Sequence, residues 1–187
     1  MTSRSLRNAR TPAAVRAGGG LVLTGFEPFF RWSVNSSWVA VTGYAARSME
    51  RPEAVCLPVE HRLAAERVQA LVRQQRPAAL LLVGLADRPV PTLECWARPG
   101  VLAPHAGGVR IARWGMGAAL AAAQRAGLPL RLSVDAGRYV CETTFWLALG
   151  LPVPRVAFLH VPPLRRAWPP ARLSRLVAAV LAGAKPR

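Results

Sequence analysis

The stretch Ala79-Leu80-Leu81-Leu82-Val83-Gly84 is an uninterrupted apolar run that ends at a glycine, which indicates a buried β-strand. Similar short runs recur along the chain, and longer segments with helical spacing of apolar residues lie between them. Alternating strands and helices are typical of α/β folds. We therefore predict a three-layer α/β/α sandwich with a central, twisted, largely parallel but mixed sheet. The other predicted strands are residues 21–24, 54–59, 130–134 and 156–160.

Five helices are predicted between and after these strands. The last begins after Pro169-Pro170, because proline is tolerated in the first turn of a helix, and runs to about Ala184. The other four are residues 38–47, 61–75, 110–126 and 141–149.

Length and composition favour one domain without a membrane anchor. The chain has 187 residues, and no run of 18 apolar residues occurs in it, so we expect no membrane span. Residues 1–20 are rich in arginine, alanine and glycine and lack the apolar core of a secretory signal. We predict a disordered extension over residues 1–20 and a single α/β domain over residues 21–187.

The net charge of +16 raises the possibility of nucleic-acid binding. Lys185 is the only lysine, however, and the arginines are spread along the chain among alanine, glycine and proline. No basic stripe with interleaved aromatic residues is present. We attribute the charge to a compositional bias and expect no specific nucleic-acid partner.

The cysteines indicate a reducing compartment, and we expect the protein to be cytoplasmic. Their odd number and wide spacing fit neither a disulfide framework nor a zinc site. The three histidines also lack ligand partners at short spacing, so we expect no metal and no cofactor. The cysteines are Cys56, Cys95 and Cys141.

One cysteine and one histidine lie at the ends of predicted elements, where two side chains can meet. Cys141 begins a predicted helix, and His160 ends a predicted strand. A helix N-terminus and a neighbouring histidine lower a cysteine pKa from about 8.5 to roughly 3.5–7.5, which favours the nucleophilic thiolate. Glu94 follows the run 79–84 and can orient the imidazole. This set predicts a cysteine hydrolase.

Four motifs make the prediction more specific. The chain contains Thr24-Gly25-Phe26-Glu27-Pro28-Phe29 and then Asn35-Ser36-Ser37-Trp38. Cys141 closes the stretch that starts with Ser133 and contains Asp135-Ala136-Gly137-Arg138-Tyr139, and His160 lies in Ala157-Phe158-Leu159-His160-Val161-Pro162. On these motifs, residues 21–184 closely resemble pyroglutamyl peptidase I, the pyrrolidone-carboxylate peptidase family of cysteine peptidases.

The resemblance implies a cysteine omega-peptidase that removes N-terminal pyroglutamyl residues from peptides through a thioester intermediate. Its substrates are N-terminally pyroglutamylated peptides, and family members often form homodimers or homotetramers. The family triad is carried over to Cys141, His160 and Glu94. The implied substrate-binding residues are Phe26 and Phe29 as walls, Asn35 for the lactam, Leu85 and, on the floor, Val140.

The chain also departs from the family pattern near these residues. Glu94 follows Gly84 one residue sooner than the family glutamate, so Asp87 is a competing partner for His160. Leu85 replaces a glutamine, and Glu142 follows the nucleophile where asparagine is usual. These departures leave two alternatives, a catalytically silent homologue that acts as a binding protein and a thiol amidase of altered specificity.

Overall fold

The protein is described here by a computed structural model that covers residues 19–184. The predicted N-terminal extension lies outside the described residues, apart from Gly19 and Gly20. The helices are α1 Ser36–Ala45, α2 His61–Gln75, α3 Met116–Arg125, α4 Val140–Leu149 and α5 Pro170–Val180, which continues into a 3-10 helix over Leu181–Ala184. The strands are β1 Leu21–Phe26, β2 Glu53–Leu57, β3 Ala79–Leu85, β4 Thr92–Glu94, β5 Trp96–Ala97, β6 Arg110–Ile111, β7 Arg131–Ser133 and β8 Arg155–Val161.

Six of these strands form the central sheet, in the order β2-β1-β3-β8-β4-β7. The first four are mutually parallel. Strand β4 runs antiparallel to β8, and β7 runs parallel to β4. The sheet is therefore largely parallel and mixed, as the sequence predicts.

Helices cover both faces of this sheet. Alternate residues of β3 point to opposite faces, so Leu81 packs with α1, α3 and α5, while Leu80 packs with α2 and α4. Each face therefore has its own apolar core, and the α/β/α sandwich is confirmed. Within residues 19–184, no helix is both long and apolar enough to cross a membrane.

The segment between β3 and α3 differs from its prediction. The predicted helix 110–126 begins only at Met116, because Arg110 and Ile111 pair with β5 as a two-stranded ribbon. Arg113 then bridges to Val156 at the start of β8. Strands β4, β5 and β6, which are only two or three residues long, were not predicted.

The sheet order places the candidate catalytic residues at one edge. Strands β1, β3 and β8 are parallel neighbours, so their carboxyl ends, with Phe26, Leu85 and His160, lie together. Strand β4 brings Glu94 beside β8 from the opposite direction. Helix α4 presents its first turn, with Cys141, to the same region.

Candidate active site

A cavity of about 610 Å³ opens at this edge of the sheet. Its volume falls within the range of about 300–1,000 Å³ that is usual for small-molecule sites. Seven of the eight residues predicted for the site line it, while Glu94 lies completely buried behind His160. The seven are Phe26, Phe29, Asn35, Leu85, Val140, Cys141 and His160.

Glu94 and His160 form a buried pair. His160 Nδ1 lies 2.8 Å from Glu94 Oε1, and the Thr92 hydroxyl donates to the same oxygen at 2.7 Å. The pairing of β4 with β8 sets this contact, because it brings Thr92 directly opposite His160. Burial is the largest single influence and raises the pKa of Glu94, but the hydrogen bond and charge of His160, together with hydrogen bonds from Ser133 and Thr92, outweigh it, so this pKa lies below its usual value.

The charge of Glu94 determines which nitrogen of His160 is free. A carboxylate can only accept hydrogen bonds, so Nδ1 carries a proton, and in the neutral ring Nε2 then has the lone pair. Nε2 is therefore the atom that can accept a proton in the cavity. This is the arrangement in which a carboxylate orients a general base.

Asp87, the competing carboxylate, has other partners. Its two oxygens accept hydrogen bonds at 2.6 Å from Arg31 and from Arg165. The one-residue shortening of the loop after β3 therefore leaves Asp87 at the cavity mouth and Glu94 on the imidazole.

Cys141 is the second residue of α4, and it lies partly buried in the cavity wall. Among the described residues, no hydrogen bond joins its sulfur to the His160 ring. Burial, followed by the negative charge of Glu94, raises the pKa of the thiol to about 12. The sequence predicted a lowered pKa, but burial and the charge of Glu94 outweigh the backbone hydrogen bond and the Arg88 charge that favour the thiolate. The Cys141 thiol is therefore protonated at neutral pH.

Glu142, which follows Cys141 in the sequence, contacts the cationic side chain of Arg98. Its Oε1 accepts a hydrogen bond from the Arg98 backbone N–H at 3.2 Å and lies 3.9 Å from Arg98 Nε. It fixes α4 to the segment that follows β5. Because Glu142 is buried and bound to Arg98, we assign it a structural role, although it is the neighbour of Cys141 in the sequence.

The inner part of the cavity is apolar, with one constrained amide. Phe26 and Leu85 are buried in its wall, and the Phe158 ring lies 4.7 Å from the His160 ring behind it. Asn35 caps α1: its Oδ1 accepts from the Ser37 N–H at 3.0 Å, and its Nδ2 donates to the Glu27 carbonyl at 2.8 Å. Its Oδ1 also accepts from the Ser37 hydroxyl at 2.8 Å, so only the remaining N–H is available to a ligand.

Sequence reasoning missed three residues of this region. Thr92 holds Glu94, and Arg88 Nη1 approaches both, at 3.1 Å from Thr92 Oγ1 and 3.4 Å from Glu94 Oε1. His61 lines the cavity, and its Nδ1 lies 2.9 Å from Thr143 Oγ1. The alternation of Thr92 and Glu94 on one side of a strand was the available signal. No group of side chains able to bind a metal ion occurs within the described residues.

Substitution of Gly84 tests both the packing of this site and its activity. A Cβ atom at this position would lie 2.8 Å from the Phe158 ring and 3.0 Å from Cys141 Sγ. We expect Gly84→Ala to destabilise the fold by about 1–3 kcal/mol and to lower turnover, since the thiol must move. Thermal unfolding and steady-state kinetics measure the two effects.

Gly117 provides the matched control. It is exposed within α3, and a Cβ there meets no atom within 4 Å. Gly117→Ala should leave turnover unchanged and add up to about 1 kcal/mol of stability through helix propensity. Full activity in Gly84→Ala would show that activity does not depend on the close approach of Gly84 to Cys141.

Comparison with known proteins agrees with this geometry. No protein-family model matches the chain. It is 34% identical over 173 residues to a pyrrolidone-carboxylate peptidase of Deinococcus radiodurans, covering 76% of this chain and 77% of the relative. It is 28% identical over 194 residues to human pyroglutamyl-peptidase 1, covering 86% and 87%.

A solved structure extends the similarity to three dimensions. The crystal structure of pyrrolidone carboxyl peptidase from Thermus thermophilus superposes with a TM-score of 0.78 at 31% identity, covering 87% of this chain and 99% of that one. Sequence and fold thus agree over most of both molecules. The chain belongs to the pyrrolidone-carboxylate peptidase family, whose members are also named pyroglutamyl-peptidase 1.

Proposed function

We propose that this protein is a cysteine peptidase that removes N-terminal pyroglutamyl residues from peptides. In this proposal Cys141 is the nucleophile, His160 is the general base and acid, and Glu94 orients His160. The observation that carries it is the buried Glu94–His160 pair, which shares a cavity wall with Cys141 beside an apolar slot.

The neutral thiol sets the order of proton transfers. As the Cys141 sulfur attacks the carbonyl carbon of the pyroglutamyl residue, His160 Nε2 takes the thiol proton. The carbon–nitrogen bond then breaks, the proton passes to the leaving amine, and a thioester remains. Water attacks the thioester while His160 accepts its proton, and this proton returns to the sulfur as pyroglutamate leaves. The Glu94 carboxylate stabilises the imidazolium at each stage.

The start of α4 supports the negative oxygen that forms during each attack. The backbone N–H groups of Val140 and Cys141 belong to the first turn of α4, where no carbonyl four residues earlier accepts them. The N–H of Cys141 also reaches its own sulfur, where it opposes the rise in the thiol pKa. Free donors at a helix N-terminus form a suitable oxyanion hole.

The apolar slot suits the pyroglutamyl ring, which is flat and neutral. Phe26, Phe29, Leu85 and Val140 line the cavity near Cys141 and supply the apolar surface that such a ring needs. Leu85 retains its backbone groups, and its side chain makes the slot more apolar than a glutamine would. The remaining N–H of Asn35 is a candidate donor to the lactam carbonyl.

The raised thiol pKa predicts a distinctive pH dependence for alkylation. A thiol with a pKa of about 12 remains protonated through neutral pH, and its small thiolate fraction grows about tenfold for each pH unit. We expect inactivation of the ligand-free protein by iodoacetamide to accelerate steadily from pH 6 to pH 9. A plateau below pH 7 would instead reveal a preformed thiolate–imidazolium pair.

The proposed activity is tested by the release of a fluorescent amine from a pyroglutamyl amide. The prolyl and glutamyl amides of the same amine are the controls, because prolyl lacks the lactam carbonyl and glutamyl adds two charges. We expect turnover of the pyroglutamyl amide alone. Absence of turnover would favour a silent homologue, and equal turnover of all three would favour a less selective thiol amidase.

The remaining expectations concern location and assembly. The three cysteines are unpaired, which supports a reducing compartment such as the cytoplasm. The family resemblance further implies a homodimer or homotetramer, which light scattering of the purified protein would measure. We propose pyroglutamylated peptides as the partners and no specific nucleic acid.

A further inference from the structure

One aromatic side chain at the cavity is exposed on a strained backbone. Phe30 lines the cavity, yet 91% of its surface is accessible, so the folded chain gains almost nothing by burying it. Its φ of +51° lies in the left-handed region that favours glycine. A large apolar residue that is both strained and exposed is costly to the fold, and such positions cluster at functional sites.

The loop that carries Phe30 is held firmly in place. A hydrogen bond of 3.0 Å from the Trp32 N–H to the Phe29 carbonyl closes a tight turn around it. The Arg31 guanidinium binds Asp87 and lies 5.0 Å from the centre of the Trp32 ring. Asp87 also binds Arg165, so the turn is tied to the loops after β3 and β8. Phe30 is therefore presented on a fixed support.

The direction of the substrate determines what Phe30 can meet. A pyroglutamyl residue is the first in its peptide, so nothing precedes it in the slot, and the rest of the peptide must leave through the mouth. Phe26 is buried in the inner wall, whereas Phe30 and Tyr139 are largely exposed, with Tyr139 79% accessible. The residue after the pyroglutamyl group is thus the first to pass these aromatic rings.

We propose that Phe30 is a specificity-determining residue that contacts the side chain following the pyroglutamyl group and favours large apolar or aromatic residues there. This inference rests on the proposed peptidase function. Arg31 and Asp87, two charged residues that line the cavity with Phe30, are paired with each other, which leaves the exposed aromatic ring free to contact that side chain. Its fixed conformation reduces the entropy lost when the substrate packs against it.

The test compares kcat/KM for pyroglutamyl-phenylalanine amide and pyroglutamyl-alanine amide. The wild-type protein should favour phenylalanine by about three- to tenfold, as expected for one aromatic contact. Phe30→Ala and Phe30→Gly should both bring the ratio close to one. If Phe30 only shapes the loop, both substrates will be affected equally and the ratio will stay unchanged, which would overturn the inference.

The melting temperatures of Phe30→Ala and Phe30→Gly distinguish the two variants and show whether each is folded. Glycine adopts a φ of +51° without strain, so Phe30→Gly should melt at least about 2 °C above Phe30→Ala. Met49→Ala, which removes an equally exposed apolar side chain outside the cavity, should change neither rate nor ratio. If the wild type cleaves neither amide, the proposed function fails and this inference fails with it. If the wild type cleaves both amides equally, only this inference is overturned.

Discussion

Replacing Cys141 with serine is expected to lower kcat/KM for a pyroglutamyl amide by at least about 10⁴-fold. The serine hydroxyl is a weaker nucleophile, and the desolvation that already raises the thiol pKa to about 12 would disfavour an alkoxide still more. Active-site titration and steady-state kinetics would measure the loss. An unchanged melting temperature would show that the fold is intact.

The other two cysteines provide matched controls. Cys56 and Cys95 are free and partly buried, and neither lines the cavity. Cys56→Ser and Cys95→Ser should therefore keep kcat/KM within about threefold of the wild type, the usual range for substitutions outside a site. Strong activity in Cys141→Ser, or its loss in either control, would reject Cys141 as the nucleophile.

The second large effect is expected for Glu94→Gln, which should lower kcat by about 10³–10⁴-fold, as neutral replacement of the orienting carboxylate does in other triads. Glutamine keeps the shape of the side chain, but it cannot stabilise the imidazolium and it no longer fixes the proton on His160 Nδ1. KM should change little, because Glu94 does not line the cavity. A lower kcat with a nearly unchanged KM distinguishes an orienting role of Glu94 from a role in substrate binding.

Asp87→Asn is the matched comparison, since it makes the same chemical change at the competing carboxylate. Asp87 binds Arg31 and Arg165 and not His160, so its loss of kcat should be far smaller than that of Glu94→Gln. The reverse order, with Glu94→Gln close to the wild type and Asp87→Asn inactive, would assign the orienting role to Asp87.

The parts of the fold that local pattern determines were predictable. Strand β3 is a continuous apolar run, and all seven of its residues are buried. The predicted helix 61–75 coincides with α2, because Glu60 caps its first turn and Arg76 ends it in a left-handed conformation. In these two segments the local sequence determines both the secondary structure and which residues are buried.

Strand β4 was not predictable in this way. It has only three residues, and two of them, Thr92 and Glu94, are polar although all three are buried. Their burial depends on pairing with β8, which lies more than 60 residues away in the sequence. The family motif therefore indicated Glu94 where hydrophobic periodicity could not.

Three-dimensional packing also determines the properties of the site that the sequence did not indicate. Two features of the sequence suggested a low thiol pKa, a helix N-terminus and a nearby histidine. The thiol pKa is nevertheless raised, by burial and by the charge of Glu94. The position of Phe30 likewise depends on a turn closed by Phe29 and Trp32, and its φ of +51° has no signature in the local sequence.

The proposed thioester on Cys141 can be tested directly by rapid-quench mass spectrometry. With an activated pyroglutamyl ester as substrate, acylation is fast and the acyl-enzyme should accumulate. We predict that the mass of the protein rises by one pyroglutamyl group, that the added group maps to Cys141 and that hydroxylamine removes it. No such group should appear on Cys141→Ser. Turnover of the ester without an adduct, or an adduct on Cys56 or Cys95, would contradict the proposed mechanism.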